Sequence, residues 1–174
     1  TAGSLTVSGY DSQTQADQIR AHTGALLEHT GIYEQMSAED NLEFYGRAFR
    51  MPEQERRDRI RELLTDMGLW ERRTDRAGSW SRGMKQKLAL SCALIHRPRV
   101  LILDEPTTGV DAVSRQEFWD MLKKIQSEGI TIVVSTPYMD EAELCDRVAL
   151  MQKGRLLLVS SPERLGEGQD ELLY

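Results

Sequence analysis

The stretch VLILDEPTTGVD, Val100 to Asp111, decides how the chain is read. Four aliphatic residues run straight into Asp104 and Glu105, and a proline, two threonines, a glycine and a third acid follow. A short apolar run bounded by turn residues marks a buried strand. Adjacent carboxylates at its end need a partner, because burying an unpaired charge is costly. In open α/β sheets, ligands lie at the carboxyl ends of the strands. Placed there, the first carboxylate can hold Mg²⁺ through water, and the second can orient and polarise an attacking water. The plainer alternative has one acid cap the following turn and the other stand in solvent. The apolar strand leading in and the Pro-Thr-Thr-Gly turn leading out favour the chemical reading.

From residue 98 onward the pattern alternates. RVLILD reads as a strand, SRQEFWDMLKKIQSEG as a helix, TIVVST as a strand and MDEAELCD as a helix; RVALMQ and RLLLVS are two further strands. Near-continuous apolar strands alternating with helices predict a parallel sheet covered on both faces. The Lys-Gly between the last two strands predicts a hairpin at the edge of that sheet. Upstream, SLTVSGYD alternates like a strand, and QADQIRAHTGALLEHTG reads as a short helix and then a strand, with a break near Gly31. SAEDNLEFYGRAF is helical in pattern, with Ser37 as N-cap and Asp40 at capping-box distance. In PEQERRDRIRELLTDMGL, Pro52 suits the first turn, Ile60, Leu63, Leu64 and Met67 form one stripe, and Gly68 suits the stop. The result is an α/β core, residues 1–31 and 98–174, around a mostly helical insertion at 32–97.

At 174 residues the chain is long enough for one domain with a real core. A net charge of -6, with runs such as ERRDRIR and ERRTDR interleaved with acids, argues for solvated helix faces and against a nucleic-acid surface. The runs VLIL and TIVV are far too short to span a bilayer, and no signal-peptide pattern is visible. Cys92 and Cys145 lie far apart without metal-ligand spacing and read as buried thiols of a reducing cytosol. His22, His29 and His96 form no i,i+4 pair or Cys/His cluster; His96 sits at a helix end, where its charge suits the dipole.

A second feature lies in SWSRGMKQKLALSCALIHRP. Ser81, Arg82 and Gly83 precede a helix whose Leu88, Ala89, Cys92 and Ile95 share one side. Free helix N–H groups, a serine hydroxyl and a close-approach glycine make an anion site, although Ser81 serves equally as an ordinary cap.

Together these two features resemble the ATP-binding subunit of an ABC (ATP-binding cassette) transporter. WSRGM, Trp80 to Met84, stands where the family has its LSGGQ-type signature, and RPRVLILDEPTTGVD follows at the family spacing as the Walker B strand, the adjacent glutamate and the D-loop. GIYEQMSAEDNLEFYGR and YMDEAELCDRVALMQKGRLL resemble the bacterial ABC-2 exporter branch, and the likeness covers nearly the whole chain. It implies a P-loop NTPase (RecA-like) parallel sheet core with an inserted helical signature subdomain, its N-terminal part missing. It also implies ATP and Mg²⁺ as cofactors, with Asp104 positioning the metal through water and Glu105 as the catalytic carboxylate. Asp111 crosses a dimer interface in this family, and Ser81, Arg82, Gly83 and Met84 form the signature that meets the γ-phosphate held by a second ABC ATPase domain. The implied partners are that second domain, as homodimer or tandem half, and a membrane permease facing residues 28–50. The implied location is the cytoplasmic face of the cell membrane. Tyr33 and Phe44 are the candidate permease contacts, with helix-core packing the plainer use of Phe44.

Three departures from the family pattern matter. None of the 13 glycines is followed by lysine, so no GxxxxGK[ST] phosphate loop is present; the chain is expected to start just after it. The Q-loop glutamine falls on Glu28, which can still reach Mg²⁺ or water but cannot donate as an amide does. The switch histidine falls on Pro137, which can neither donate to a phosphate nor shuttle a proton. Three functions follow as expectations: an exporter ATPase, a degenerate regulatory ABC domain that lends its signature with little hydrolysis, and a soluble non-transport ABC ATPase. Alone, without a phosphate loop, the fragment is expected to be inactive.

Overall fold

The computed structural model describes residues 3–27 and 31–167. The chain divides into two compact units, Thr1–Ser135 and Thr136–Tyr174.

The first unit opens with β1 (Thr6–Val7) and β2 (Tyr10–Asp11), paired antiparallel. The single strand expected there is instead a minimal hairpin. Ser8 and Gly9 both take positive φ, 52° and 85°, as a tight turn matched to strand twist requires. Helix α1 (Ala16–His22) leads directly into β3 (Thr23–Leu26), the order read from the sequence. Helix α2 (Ala38–Ala48) starts at Ser37, whose hydroxyl accepts the Asp40 N–H at 3.0 Å and donates to the Asp40 carboxylate at 2.7 Å.

Asn41, fully buried on α2, clamps the preceding loop. It accepts the Tyr33 N–H at 2.7 Å and donates to the carbonyls of Tyr33 and Ser37 at 3.0 and 2.8 Å. Asn41→Ala leaves buried backbone groups unpaired and should cost about 2 kcal/mol, read as a shift in denaturant midpoint.

Helix α3 (Glu53–Asp66) buries Ile60, Leu63 and Leu64, with Met67 at its C-terminus and Gly68 at φ 68° just beyond. Its basic run is not wholly solvated. Arg56 and Arg59 are each only 8% exposed. Arg56 pairs with Glu43 of α2 at 2.7 Å and donates to the Met51 carbonyl at 2.7 Å. Arg59 pairs with Glu62 at 2.9 Å and donates to the Leu94 carbonyl at 3.1 Å. The stems pack against apolar neighbours while the heads find acids and carbonyls, which a charge count cannot reveal.

Two 3-10 turns, Trp70–Arg72 and Ala77–Ser79, precede α4 (Arg82–Leu94). This helix is buried along Leu88, Ala89, Leu90, Cys92 and Leu94 and packs on β3. The Cys92 thiol is pushed well up by burial, so it is an inert core group. His96 is not the charged group expected at the helix end, because burial lowers its pKa; its Nε2 lies 3.1 Å from the Thr23 carbonyl, and its ring stacks on Phe49 at 3.7 Å.

Strands β3, β4 (Val100–Asp104) and β5 (Thr131–Ser135) form the predicted parallel sheet in that order. Alternation sends Gly24, Leu26, Leu101 and Leu103 into the core, all buried. The expected cover on both faces is not met among the described residues, because Ile102 and Val133 of the opposite face remain 40% and 53% exposed. Helix α5 (Ala112–Ser127) joins β4 to β5 and buries Phe118, Trp119, Leu122 and Ile125 as one stripe.

The second unit holds the short helix α6 (Met139–Ala142), β6 (Val148–Gln152), β7 (Arg155–Ser160) and α7 (Pro162–Glu167). The expected hairpin is present, turning at Lys153 and Gly154, both at positive φ. Its two strands form a sheet of their own, rather than the edge of the three-stranded one. Cys145 is half-buried, not buried.

Candidate functional site

Parallel pairing in register sets Asp104, the last residue of β4, beside Ser135, the last residue of β5. The Ser135 hydroxyl donates to Asp104 Oδ1. The N–H of Glu105 is directed at the same serine, 3.0 Å from its carbonyl and 3.2 Å from its Oγ. Glu105 itself has left-handed backbone, φ 44°, unusual for a residue with a side chain and costing on the order of 1 kcal/mol. Its carboxylate accepts the Thr108 hydroxyl at 3.1 Å, and its carbonyl accepts the Thr108 N–H at 3.2 Å. Both acids are exposed at the strand end, where the sequence pattern places a ligand.

The turn continues through buried Pro106 and Thr107 to Gly109, φ 72°, and Asp111. Asp111 is the N-cap of α5, accepting the Ser114 N–H at 3.0 Å. That backbone donor holds its carboxyl below the usual carboxylate range, so Asp111 is firmly ionised at neutral pH.

At the second predicted feature Ser81 is the N-cap of α4, and its hydroxyl accepts the Met84 N–H at 3.3 Å. Arg82 and Gly83 belong to the first turn of α4 rather than preceding it. Two close approaches bring this turn against residues 109–114. A Cβ at Gly83 would lie 2.9 Å from Ser114 Oγ, and one at Gly109 would lie 2.9 Å from Arg82 Nη1. The Met84 sulfur accepts from Arg72 at 3.5 Å, and Lys85 pairs with Glu34 at 2.7 Å.

The structure therefore groups the site residues into an acid pair gathered on Ser135, and a first turn of α4 packed against residues 109–114. Glu28 lies outside the described residues. Pro137 is exposed in the second unit, and Glu105 in the first. Sequence reading missed Ser135, Thr108 and Ser114; pairing the ends of the two apolar strands in register would have found the first. Phe44, expected in the helix core, is 44% exposed, and its ring meets the equally exposed Tyr33 edge-on at 4.8 Å.

Among the described residues no cluster of three or more His, Cys, Asp or Glu could hold a metal. Asp104 offers a carboxylate oxygen, which fits Mg²⁺, an ion that keeps its waters and takes one or two carboxylates plus phosphate oxygens. No helix among the described residues is long and apolar enough to cross a membrane.

The family model for the ABC transporter matches residues 1–108, more than half of the chain. The chain belongs to the ABC transporter family. It is 34% identical over 165 residues to the probable multidrug ABC transporter ATP-binding protein YbhF of Escherichia coli (strain K12), spanning 95% of this chain and 28% of YbhF. Identity is also 34%, over 169 residues, to the ABC transporter ATP-binding protein NatA of Bacillus subtilis (strain 168), covering 96% of this chain and 69% of NatA. CbiO1 of Clostridium perfringens, part of the ABC transporter complex CbiONQ, matches with a TM-score of 0.80 at 29% identity, over 90% of this chain and 63% of CbiO1. The mixed α/β sheet and helices are those of an ABC ATPase.

Proposed function

We propose that this chain is part of the ATP-hydrolysing component of an ABC exporter, which couples nucleotide-driven pairing of two ATPase domains to a membrane permease. The observation that carries the reading is the exposed acid pair at the end of β4, held by the hydroxyls of Ser135 and Thr108. In this reading residues 1–31 and 98–174 belong to the α/β core of one ATPase domain, and 32–97 to its Q-loop region and helical signature subdomain. The protein lies peripherally on the cytoplasmic face of the membrane. Export is favoured by the multidrug description of YbhF, and a permease partner by the complex to which CbiO1 belongs.

Asp104 would hold Mg²⁺ through water, and Glu105 orients the attacking water and takes up its proton. When bound, the metal neutralises charge on the phosphate oxygens. The α4 N-terminus, with Ser81, Arg82, Gly83 and Met84, faces the γ-phosphate held by the partner domain, where helix N–H groups favour an anion. Asp111 meets the partner across the interface.

Proline at position 137 supports a second reading. Pro137 has no backbone N–H and no side-chain donor, so the γ-phosphate contact of a switch histidine is not replaced there. A regulatory domain that lends its signature to a competent partner site is the result.

Tyr33 and Phe44 form an exposed aromatic pair beside the loop clamped by Asn41, suited to contact a permease helix. Cysteines at positions 33 and 44 of the full-length protein, cross-linked in native membranes, should capture a membrane subunit. Failure at both positions sinks the transporter reading.

A further inference from the structure

We propose that Ser135 is a positioning residue, whose hydroxyl fixes the rotamer of Asp104 while its carbonyl anchors the Glu105 N–H. The inference rests on the ATPase reading of the acid pair and adds a residue to it. One hydroxyl has one proton to give and lone pairs to accept with, and both capacities are used here. The proton goes to Asp104 Oδ1, and a lone pair receives the Glu105 N–H at 3.2 Å. The second Asp104 oxygen has no hydrogen-bond partner among the described residues, so the serine selects which oxygen is left to face a ligand. An exposed carboxylate at a strand end has no packing to lock its rotation, and a hydrogen bond from the neighbouring strand supplies that constraint.

The same serine bears on Glu105. Its left-handed backbone, φ 44°, turns the chain out of β4, and its N–H is shared between the carbonyl and the hydroxyl of Ser135. The Asp104 carboxylate and the Glu105 backbone thus both rest on one residue of the adjacent strand, while the Glu105 carboxylate is held by Thr108. Removing the hydroxyl leaves the carbonyl bond at 3.0 Å in place, so Ser135→Ala keeps the turn and loses only the orienting contact.

The test uses the full-length protein and equilibrium binding of a fluorescent, non-hydrolysable ATP analogue during a Mg²⁺ titration. Ser135→Ala should raise the Mg²⁺ midpoint about tenfold, and Ser135→Thr, which keeps the hydroxyl, should return it to within about twofold of the parent. Binding of the analogue without Mg²⁺ should be the same in all three proteins. The proposal is overturned if Ser135→Ala leaves the midpoint unmoved, or if Ser135→Thr shifts it as far as Ser135→Ala does. It also falls if Ser135→Ala weakens Mg²⁺-free binding equally, which would mark a purely structural role. Mg²⁺-independent binding in the parent protein overturns the ATPase reading itself, and is recognisable before any variant is compared.

Discussion

ATP turnover by the full-length protein should fall about 100-fold when Glu105 is replaced by Gln, with nucleotide binding retained. Gln has the size of Glu and an amide oxygen that still accepts the Thr108 hydroxyl, so the contact now at 3.1 Å can persist. It takes the left-handed backbone at φ 44° no worse than Glu does, and the strain of the turn is unchanged. What is lost is the carboxylate charge, and with it the capacity to receive a proton from water. Steady-state turnover beside equilibrium ATP binding separates the two effects. Unchanged turnover would remove Glu105 from hydrolysis and leave the regulatory reading that Pro137 favours.

Gly24→Ala should destabilise the protein by about 3 kcal/mol, at the upper end of overpacking costs. Gly24 lies in β3 on the buried face, where a Cβ would sit 2.2 Å from the Ala93 carbonyl oxygen and 3.1 Å from Leu101 Cδ1. The first neighbour is backbone of the last turn of α4, so no side chain can swing aside. The helix must lift from the sheet, or β3 must leave its register with β4. The lower unfolded-state entropy of alanine returns only about 0.4–1 kcal/mol. Thermal unfolding should show a midpoint lower by about 6–12 °C, given the usual scaling for a domain of this size. A midpoint within a degree of the parent would mean that α4 does not pack on β3 as described.

The sequence carried the order of elements because each had a local cause. Ser37 and Asp111 cap the helices they precede, and the apolar runs at 100–103 and 131–134 pair in parallel register. What escaped depended on contacts between segments distant in sequence. Arg56 and Arg59 read as solvated charges until Glu43 and the carbonyls of Met51 and Leu94 are placed around them. SLTVSGYD read as one strand because alternation continues through it, whereas two left-handed residues fold it into a hairpin. At the site, the acids announced themselves through an unusual strand ending. Ser135 did not, since a serine closing an apolar strand has no distinctive pattern until the neighbouring strand brings Asp104 beside it.

The packing of α4 against residues 109–114 carries a mechanical consequence. Gly83 rests on Ser114, where an added Cβ would lie 2.9 Å from Oγ and 3.0 Å from Cβ, and the flexible end of Arg82 lies over Gly109. The first turn of α4 is thereby in direct contact with the start of α5 at Ser114. A bulky side chain at residue 83 should therefore disturb the first turn of α4 and the start of α5 together.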